Sequence, residues 1–587
     1  MRTLIEVLRD NAVHADRSVT FVRSNGEELS VSYPDLWLEA RRRAHALRKL
    51  GLERGDRVAL ILPDPDEFIL TFLGALTAGV IAVPMYPPQT MAKLEAYGDT
   101  VRHVLAASGA KALVTNETLR GMIQEHLVSA TAPAPTPTPT AGVATVTERE
   151  LRDAPGFDPD AGWSVELDDI AFLQFTSGST SAPKGVMVTF RNLAVNSHAI
   201  MFDGLRSTPD DRGVSWLPLY HDMGLIGFVI APLYALVPVM FLPTTAFIRR
   251  PSLWLDAIHR FRGTITFAPN FAYSLAARAV TEVQSAAWDL SCLRALGCGA
   301  EPIQADVLRA FLRRFANQGL RPESVLPSYG MAEATLAITF SDIDAPLLTD
   351  RVDLDAMRAG VARPTEAGAA LELVACGRPF PGHELAIVGP DGARLGERGV
   401  GEVWVRGPSV TAGYYNNPEA TEEAFGGGWL RTGDLGYLAG GELYICGRAK
   451  DLIILGGKNY YPQDLERVVS RVEGIRDGQC VAFSRLDASG GEQAVVVAES
   501  RRASAALVQA VMRAVRAEIG VQLADVVLIK RGTLAKTSSG KVRRREMKRR
   551  LEAGELELAT AEDTGGAEPS NVVARAEAQP LHPGAAN

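Results

Sequence analysis

The chain has 587 residues, too long for a single core, and length alone implies roughly three to four folding units. Its composition, 47% hydrophobic and 22% charged, is that of an ordinary soluble protein, and the balance of 61 basic against 69 acidic residues, net −8, argues against general nucleic-acid binding. Five cysteines (Cys292, Cys298, Cys376, Cys446, Cys480) contain no CxxC pair and leave one over in any disulfide scheme, which fits a reducing cytoplasm.

The N-terminal "MRTLIEVLRDNAVHADR" is interrupted by charges and cannot form a signal-peptide core. A helical pattern at 33–51 ("YPDLWLEARRRAHALRKLG") then alternates with apolar β-rich runs at 57–63, 79–85 and 110–116. That alternation predicts parallel sheets covered by helices. Two uncharged stretches, 68–92 and 223–248, have the length of a membrane span. Both carry internal prolines (Pro84, Pro87, Pro88; Pro232, Pro238, Pro243), which break helices, so they are read as buried elements and no transmembrane segment is expected. Residues 131–141, "TAPAPTPTPTA", predict an exposed polyproline-like loop. Short strands between glycine turns from 384 to 445 predict a small β-rich subdomain, and an α+β pattern follows from 451. Residues 560–587 lack periodicity and predict a disordered tail.

Between the apolar strand "IAFLQF" (170–175) and Gly185 lies "TSGSTSAPKG", a loop rich in hydroxyls and glycine. Backbone N–H groups and hydroxyls of such a loop can wrap an anion, and Lys184 adds positive charge. The spacing is not that of a Walker A loop, and by itself the stretch reads equally well as a surface turn.

Four further motifs follow in order: "YGMAE" (329–333), "RTGD" (431–434), "GRAKDLI" (447–453) and "KTSSGK" (536–541). With the loop they resemble the adenylate-forming superfamily of acyl-CoA synthetases, luciferases and peptide-synthetase adenylation domains, over nearly all of residues 1–550. The resemblance implies an α/β fold. Residues 1–447 would form a large AMP-binding domain of two sheet-and-helix subdomains plus a β-rich subdomain, and 448–559 a small mobile α+β domain. It also implies ATP and Mg²⁺. Thr176, Ser177, Gly178, Ser179 and Thr180 would hold the phosphates, with Lys184. Tyr329 would stack on adenine beside Ser328, Gly330 and Met331, with the backbone of Gly299, Ala300, Glu301 and Pro302 lining the base. Asp434, an acceptor-only group when ionised, would take the ribose hydroxyls, and Arg448 would also reach the ribose. Glu333 and Thr176 would hold Mg²⁺, since a hard cation prefers oxygen donors. Lys541 would stand between the attacking carboxylate and the α-phosphate, offsetting the repulsion of two anions. Without that context Lys541 belongs to a basic run, "KVRRREMKRR", on a solvated helix face, a surface that could greet an acidic partner. Lys450 would be the hinge.

"GVIAVPMYPP", "WLPLYHDMGLIG", "APNFAY", "YGMAEATL" and "GGKNYYPQDLE" are similar in wording to the fatty acyl-AMP ligases of that superfamily. The 42 residues between Glu333 and "CGRP" (376–379) are longer than acyl-CoA synthetases usually carry and match an extra segment, about 341–372, held in that family to restrict domain rotation. The resemblance then implies activation of a fatty acid to acyl-AMP and its transfer to the phosphopantetheine thiol of an acyl carrier protein acting in trans, in the cytoplasm. His221, Met223, Gly227 and Phe271 would line the acyl pocket, where each buried methylene adds about 0.8 kcal/mol. A fatty acyl-CoA synthetase is the alternative. Amino-acid adenylation, toward which Asp222 gives only a faint hint, and a non-catalytic binding protein come after it. Ser181 after Thr180 and Ala535 before "KTSSGK" depart from the usual glycine and proline.

Overall fold

A computed structural model describes residues 1–23, 25–88, 94–128, 143–158, 164–176, 183–487, 491–501, 504–537 and 540–560. The Pro/Thr run at 131–141, loop residues Ser177, Gly178, Ser179 and Thr180, and the tail from 561 lie outside the described residues.

The short apolar runs become central strands because both of their faces are covered. Arg57–Leu60, Ile81–Pro84, Ala112–Thr115 and Ile170–Thr176 lie parallel in a six-stranded sheet, and Ala144–Thr147 joins them at one edge. Lys184–Thr189 closes the other edge antiparallel to Ile170–Thr176. The helix Tyr33–Lys49 starts where Ser32 accepts the Asp35 amide and Pro34 occupies its first turn. The first uncharged stretch splits into the buried helix Pro65–Thr77 and the strand Ile81–Pro84, turning at Gly79 with φ +68°.

A nine-stranded sheet forms the second layer system, with Gly213–Ser215, Val239–Phe241, Ile265–Ala268, Ala295–Cys298 and Val325–Gly330 parallel at its centre. The second uncharged stretch crosses it as a short helix Asp222–Gly224, a π-helix Leu225–Ile230, a helix Ala231–Tyr234 and the strand Val239–Phe241. No described helix is long and apolar enough to cross a membrane. One hydrophobic core runs between the two sheets, from Phe21 and Phe72 to Trp254 and Phe311.

The β-rich subdomain is an antiparallel sheet of Glu384–Val388, Gly401–Arg406, Phe425–Gly426, Trp429–Ala439 and Glu442–Arg448. The extra segment folds into a hairpin, Thr349–Asp353 with Ala370–Val374, carrying the helix Leu354–Arg358 between its arms.

A three-stranded sheet (Cys480–Leu486, Glu492–Ser500, Asp525–Lys530) with helices Pro462–Ser470, Ala505–Ile519 and Arg544–Glu552 forms the C-terminal domain around its own core. At its start the ladder pairs Arg448 with Asp434, and the 3₁₀ turn Ala449–Asp451 follows. A correction concerns the basic run. The helix begins only at Arg544, and that residue points inward, 2.8 Å from Asp451 and 2.6 Å from Glu466. Lys541 precedes the helix, in a tight turn.

Candidate active site

The strand Ile170–Thr176 and its partner Lys184–Thr189 form the two arms of the glycine-rich loop, so Thr176 stands opposite Lys184. The Lys184 ammonium lies 5.0 Å from the centroid of the Tyr414 ring. Tyr414 in turn donates its hydroxyl to Glu333 Oε1 at 2.8 Å. This chain of contacts gathers Thr176, Lys184 and Glu333 into one neighbourhood. Tyr414 was not foreseen. It is set by backbone pairing of Val186 with Tyr414 and of Tyr415 N with Gly185 O (2.8 Å), a long-range register that no local pattern in "AGYYN" announces.

Glu333 is buried in a 3₁₀ turn, Ala332–Ala334, and its carbonyl accepts from both the amide and the hydroxyl of Thr411. Burial raises its carboxyl above the ordinary range, with the Tyr414 bond opposing. A desolvated carboxylate with one oxygen still open fits a cation. Mg²⁺ suits a donor set of one or two protein oxygens completed by phosphates and water. The turn is closed by Thr335 at φ +71°, an unusual conformation held by its hydroxyl bond to Ser409 O at 2.6 Å.

Tyr329 and Gly330 end the strand Val325–Gly330. The Tyr329 hydroxyl donates to Asp434 Oδ2 at 2.7 Å, and Arg448 Nε donates to Asp434 Oδ1 at 3.0 Å. Asp434 and Arg448 face each other because their strands pair them in register. Ser328 Oγ donates to Cys298 O at 3.2 Å, and a Cβ on Gly299 would sit 2.7 Å from that hydroxyl, so only glycine fits beside it. Met331 N donates to Leu336 O at 2.8 Å, closing the next turn. Ala300 takes φ +67°, turning the chain so that Glu301 Oε1 accepts the Phe271 amide at 2.6 Å while Pro302 stays exposed. Burial raises the Glu301 carboxyl.

Lys541 is presented by a turn in which Thr537 N donates to Lys541 O at 2.7 Å and Lys541 N to Thr537 Oγ1 at 3.1 Å. Gly540, at φ +89°, brings this turn against the Phe271 ring, 3.7 Å from where a Cβ would stand. Burial pulls the Lys541 ammonium below its usual range. Asp222, Glu301 and Asp434 pull the other way, and Arg448 adds to the lowering. The C-terminal turn therefore packs on Phe271 of the large domain, with the Lys541 ammonium within electrostatic range of Asp434 and Arg448.

Of the expected acyl-pocket residues, His221, Met223 and Gly227 fall on one short helical stretch. His221 stands at its N-cap, partly open, and Met223 is buried. Gly227 leaves room beside Leu336, whose methyl would lie 3.4 Å from an added Cβ. Phe271 belongs to a different wall, edge-on to Trp216 at 6.2 Å and against Gly540. Lys450, in the boundary turn, is exposed and pairs with Glu423 at 3.3 Å.

Comparison with known proteins finds the AMP-binding enzyme family over residues 8–415 and the AMP domain of Disco-interacting protein 2-like proteins over residues 450–561. The chain is 37% identical to a Caulobacter vibrioides protein provisionally named an acyl-CoA synthetase, covering 94% of this chain and 96% of that one. It is 34% identical to the medium-chain-fatty-acid–[acyl-carrier-protein] ligase JamA of Moorena producens, covering 92% and 94%. A chain solved in a study of fatty acyl-adenylate ligases from E. coli and L. pneumophila superposes with a TM-score of 0.87 at 34% identity, covering 94% of this chain and 98% of that one.

Proposed function

The chain belongs to the AMP-binding enzyme family, and from that premise we propose that it is a ligase that condenses a fatty acid with ATP to acyl-AMP and passes the acyl group to a carrier-protein thiol. The observation that carries this reading is the Tyr329–Asp434–Arg448 corner of the large domain, with the Lys541 turn packed on Phe271 and its ammonium within electrostatic range of Asp222, Glu301 and Asp434. In the adenylating step a fatty carboxylate attacks the α-phosphorus and pyrophosphate leaves. Two anions must meet there, and a preorganised ammonium in a water-poor site stabilises the charge that builds on the phosphoryl oxygens.

Tyr329, fixed through its hydroxyl, would offer its ring to adenine. Asp434 keeps spare lone pairs on both oxygens for ribose hydroxyls, and Arg448 orients it. Lys184 and the loop that follows Thr176 would hold the outgoing pyrophosphate. Glu333 and Thr176 would hold Mg²⁺, which when bound neutralises phosphate charge. The partly open His221 and buried Met223 and Gly227 would begin the acyl channel. Lys450 would be the hinge, where the sheet ends and the boundary turn begins.

Fatty acids as substrate, and a carrier protein as acceptor, are supported by the names of the JamA and fatty acyl-adenylate ligase relatives. A fatty acyl-CoA synthetase is the second reading, supported by the name of the Caulobacter relative. The test is ATP–pyrophosphate exchange across a ladder of fatty acids, followed by thioester formation with CoA and with a holo acyl carrier protein in parallel. Exchange with fatty acids, and a thioester on the carrier far in excess of acyl-CoA, is the expected result. Comparable rates with CoA would favour the synthetase, and no exchange with any fatty acid would sink both.

A further inference from the structure

Transfer to a thiol raises a proton problem that the adenylating residues leave open. A thiol of pKa about 8.5 is only a few per cent thiolate at neutral pH, so attack on acyl-AMP gains from a base. The acceptors already placed in the site each hold a partner, and in the reading above what remains open on Asp434 and Glu333 serves the ribose and a cation. Asp434 takes Tyr329 and Arg448, Glu333 takes Tyr414, and Glu301 takes the Phe271 amide. Lys541 is a cation.

One pair remains. His221 Nδ1 lies 2.5 Å from Asp222 Oδ1. The Met223 amide donates to the same carboxylate oxygen at 2.7 Å, the better of its two contacts, since His221 Nδ1 is 3.4 Å away. Asp222 is 9% exposed and therefore held in place, whereas 26% of the His221 side chain is open. An ionised Asp222 requires the ring proton on Nδ1 and leaves the Nε2 lone pair free. Among the described residues Nε2 has no hydrogen-bond partner. The pair is anchored to the strand that ends at Thr176, because Gln174 Nε2 donates to Tyr220 O at 2.8 Å. Lys541 from the C-terminal turn and Glu333 from the 3₁₀ turn lie within electrostatic range of Asp222.

We propose that His221 is the general base of the transfer step and that Asp222 is its positioning residue, a reading that rests on the thiol transfer proposed above. The S–H bond breaks with its proton passing to His221 Nε2. The sulfur electron pair forms a bond to the acyl carbon, and the carbon–oxygen bond to AMP breaks with its electrons leaving on the AMP phosphate. His221 then returns the proton to water. By the reading above the same ring would begin the acyl channel, beside the carbonyl that a thiol must reach.

The experiment supplies synthetic dodecanoyl-AMP to the full chain, bypassing adenylation, and follows single-turnover thioester formation with pantetheine and with a holo acyl carrier protein from pH 6.5 to 9. His221→Ala, the volume-keeping His221→Gln and Asp222→Asn are compared with the parent. At pH 6.5 both His221 variants should lose about 10²-fold or more, the ordinary worth of a general base. Their rates should climb with the thiolate fraction until, at pH 9, they come within about tenfold of the parent, since a thiol near its own pKa no longer needs a base. Asp222→Asn should show the same alkaline recovery with a smaller initial loss. A defect of equal size at every pH would mark a structural role and overturn the proposal, as would an unchanged rate at pH 6.5. A parent that forms no thioester with either acceptor would overturn the transfer reading and this one with it, whereas a parent that does so leaves the variants to decide this one alone.

Discussion

An ammonium that must be charged to act, yet is placed where burial disfavours charge, depends on the carboxylates around it. Lys541 has Asp222, Glu301 and Asp434 for that purpose. Replacing it by alanine should cut acyl-AMP formation by about 10²–10³-fold, as for loss of a preorganised charge-stabilising group, while ATP binding is largely kept. Exchange kinetics beside a nucleotide-binding titration check this, and near-normal exchange would return Lys541 to the surface run. Asp434→Ala should weaken ATP binding by roughly 1.5–3 kcal/mol, the range for a hydrogen bond to a charged group, and should also free Tyr329 and Arg448 from their shared anchor. Unchanged ATP affinity would leave Asp434 a turn residue. Residues of this kind could be read from the chain because each sits in a short motif whose spacing is its signature. Tyr414 could not, because its place depends on pairing with Val186, more than two hundred positions earlier, and an isolated bridge residue carries no local mark.

The central strands were readable because continuous apolar runs bounded by turn residues mean a sheet covered on both faces, and "RVAL", "IAVP" and "ALVT" are such runs. The π-helix at Leu225–Ile230 was not, since an apolar run reads the same for strand, α-helix or π-helix. Nor was the inward turn of Arg544, which charge composition alone assigns to solvent. In the helix Pro462–Ser470, Asp464 shows what such hidden charges do. It is 8% exposed, and burial pushes its carboxyl up to about 6, with Arg467 and Arg358 opposing. A carboxyl raised on folding from about 3.9 to about 6 favours the folded state fully below pH 4 and loses that contribution as pH rises through 6, at most about 3 kcal/mol. Asp464→Asn should therefore match the parent in thermal melting near pH 4, gain over it as pH rises to about 6.5, and hold a level advantage from there to pH 7.5. A constant difference across that range would mean that Asp464 does not titrate with unfolding.

At the level of the whole molecule, the extra segment touches three bodies at once. Its Glu372 receives Arg309 of the large domain at 2.6 Å, and its Asp350 receives both Arg398 and the Tyr437 hydroxyl at 2.8 Å. Its Arg358 crosses to the C-terminal domain, donating to the Ile519 carbonyl and covering the Tyr460 ring at 4.6 Å. The segment was visible in the sequence as excess length, but its partners were not, because they lie from 48 to 161 residues away in the chain and no local pattern marks them. A guanidinium that both caps a helix carbonyl and stacks on an aromatic ring favours the C-terminal domain where it stands, by about 2 kcal/mol for the two contacts together. None of the residues assigned to adenylation lies in the segment. Arg358→Ala should therefore leave ATP–pyrophosphate exchange within about twofold of the parent and shift the resting equilibrium of the domain by roughly tenfold or more, 1.4 kcal/mol being one decade. Two measurements read that shift: proteolytic cleavage at the boundary turn Ala449–Asp451, which should speed up, and the ratio of acyl-CoA to acyl-AMP formed in one assay, which should rise. Faster cleavage with no gain in acyl-CoA would mean that the segment holds the domain but does not exclude CoA. Unchanged cleavage would mean that Arg358 is no tether, and the rotation would have to be limited by the Ser274–Asp477 and Arg471–Asp306 contacts that also join the two domains, at 2.8 and 3.0 Å.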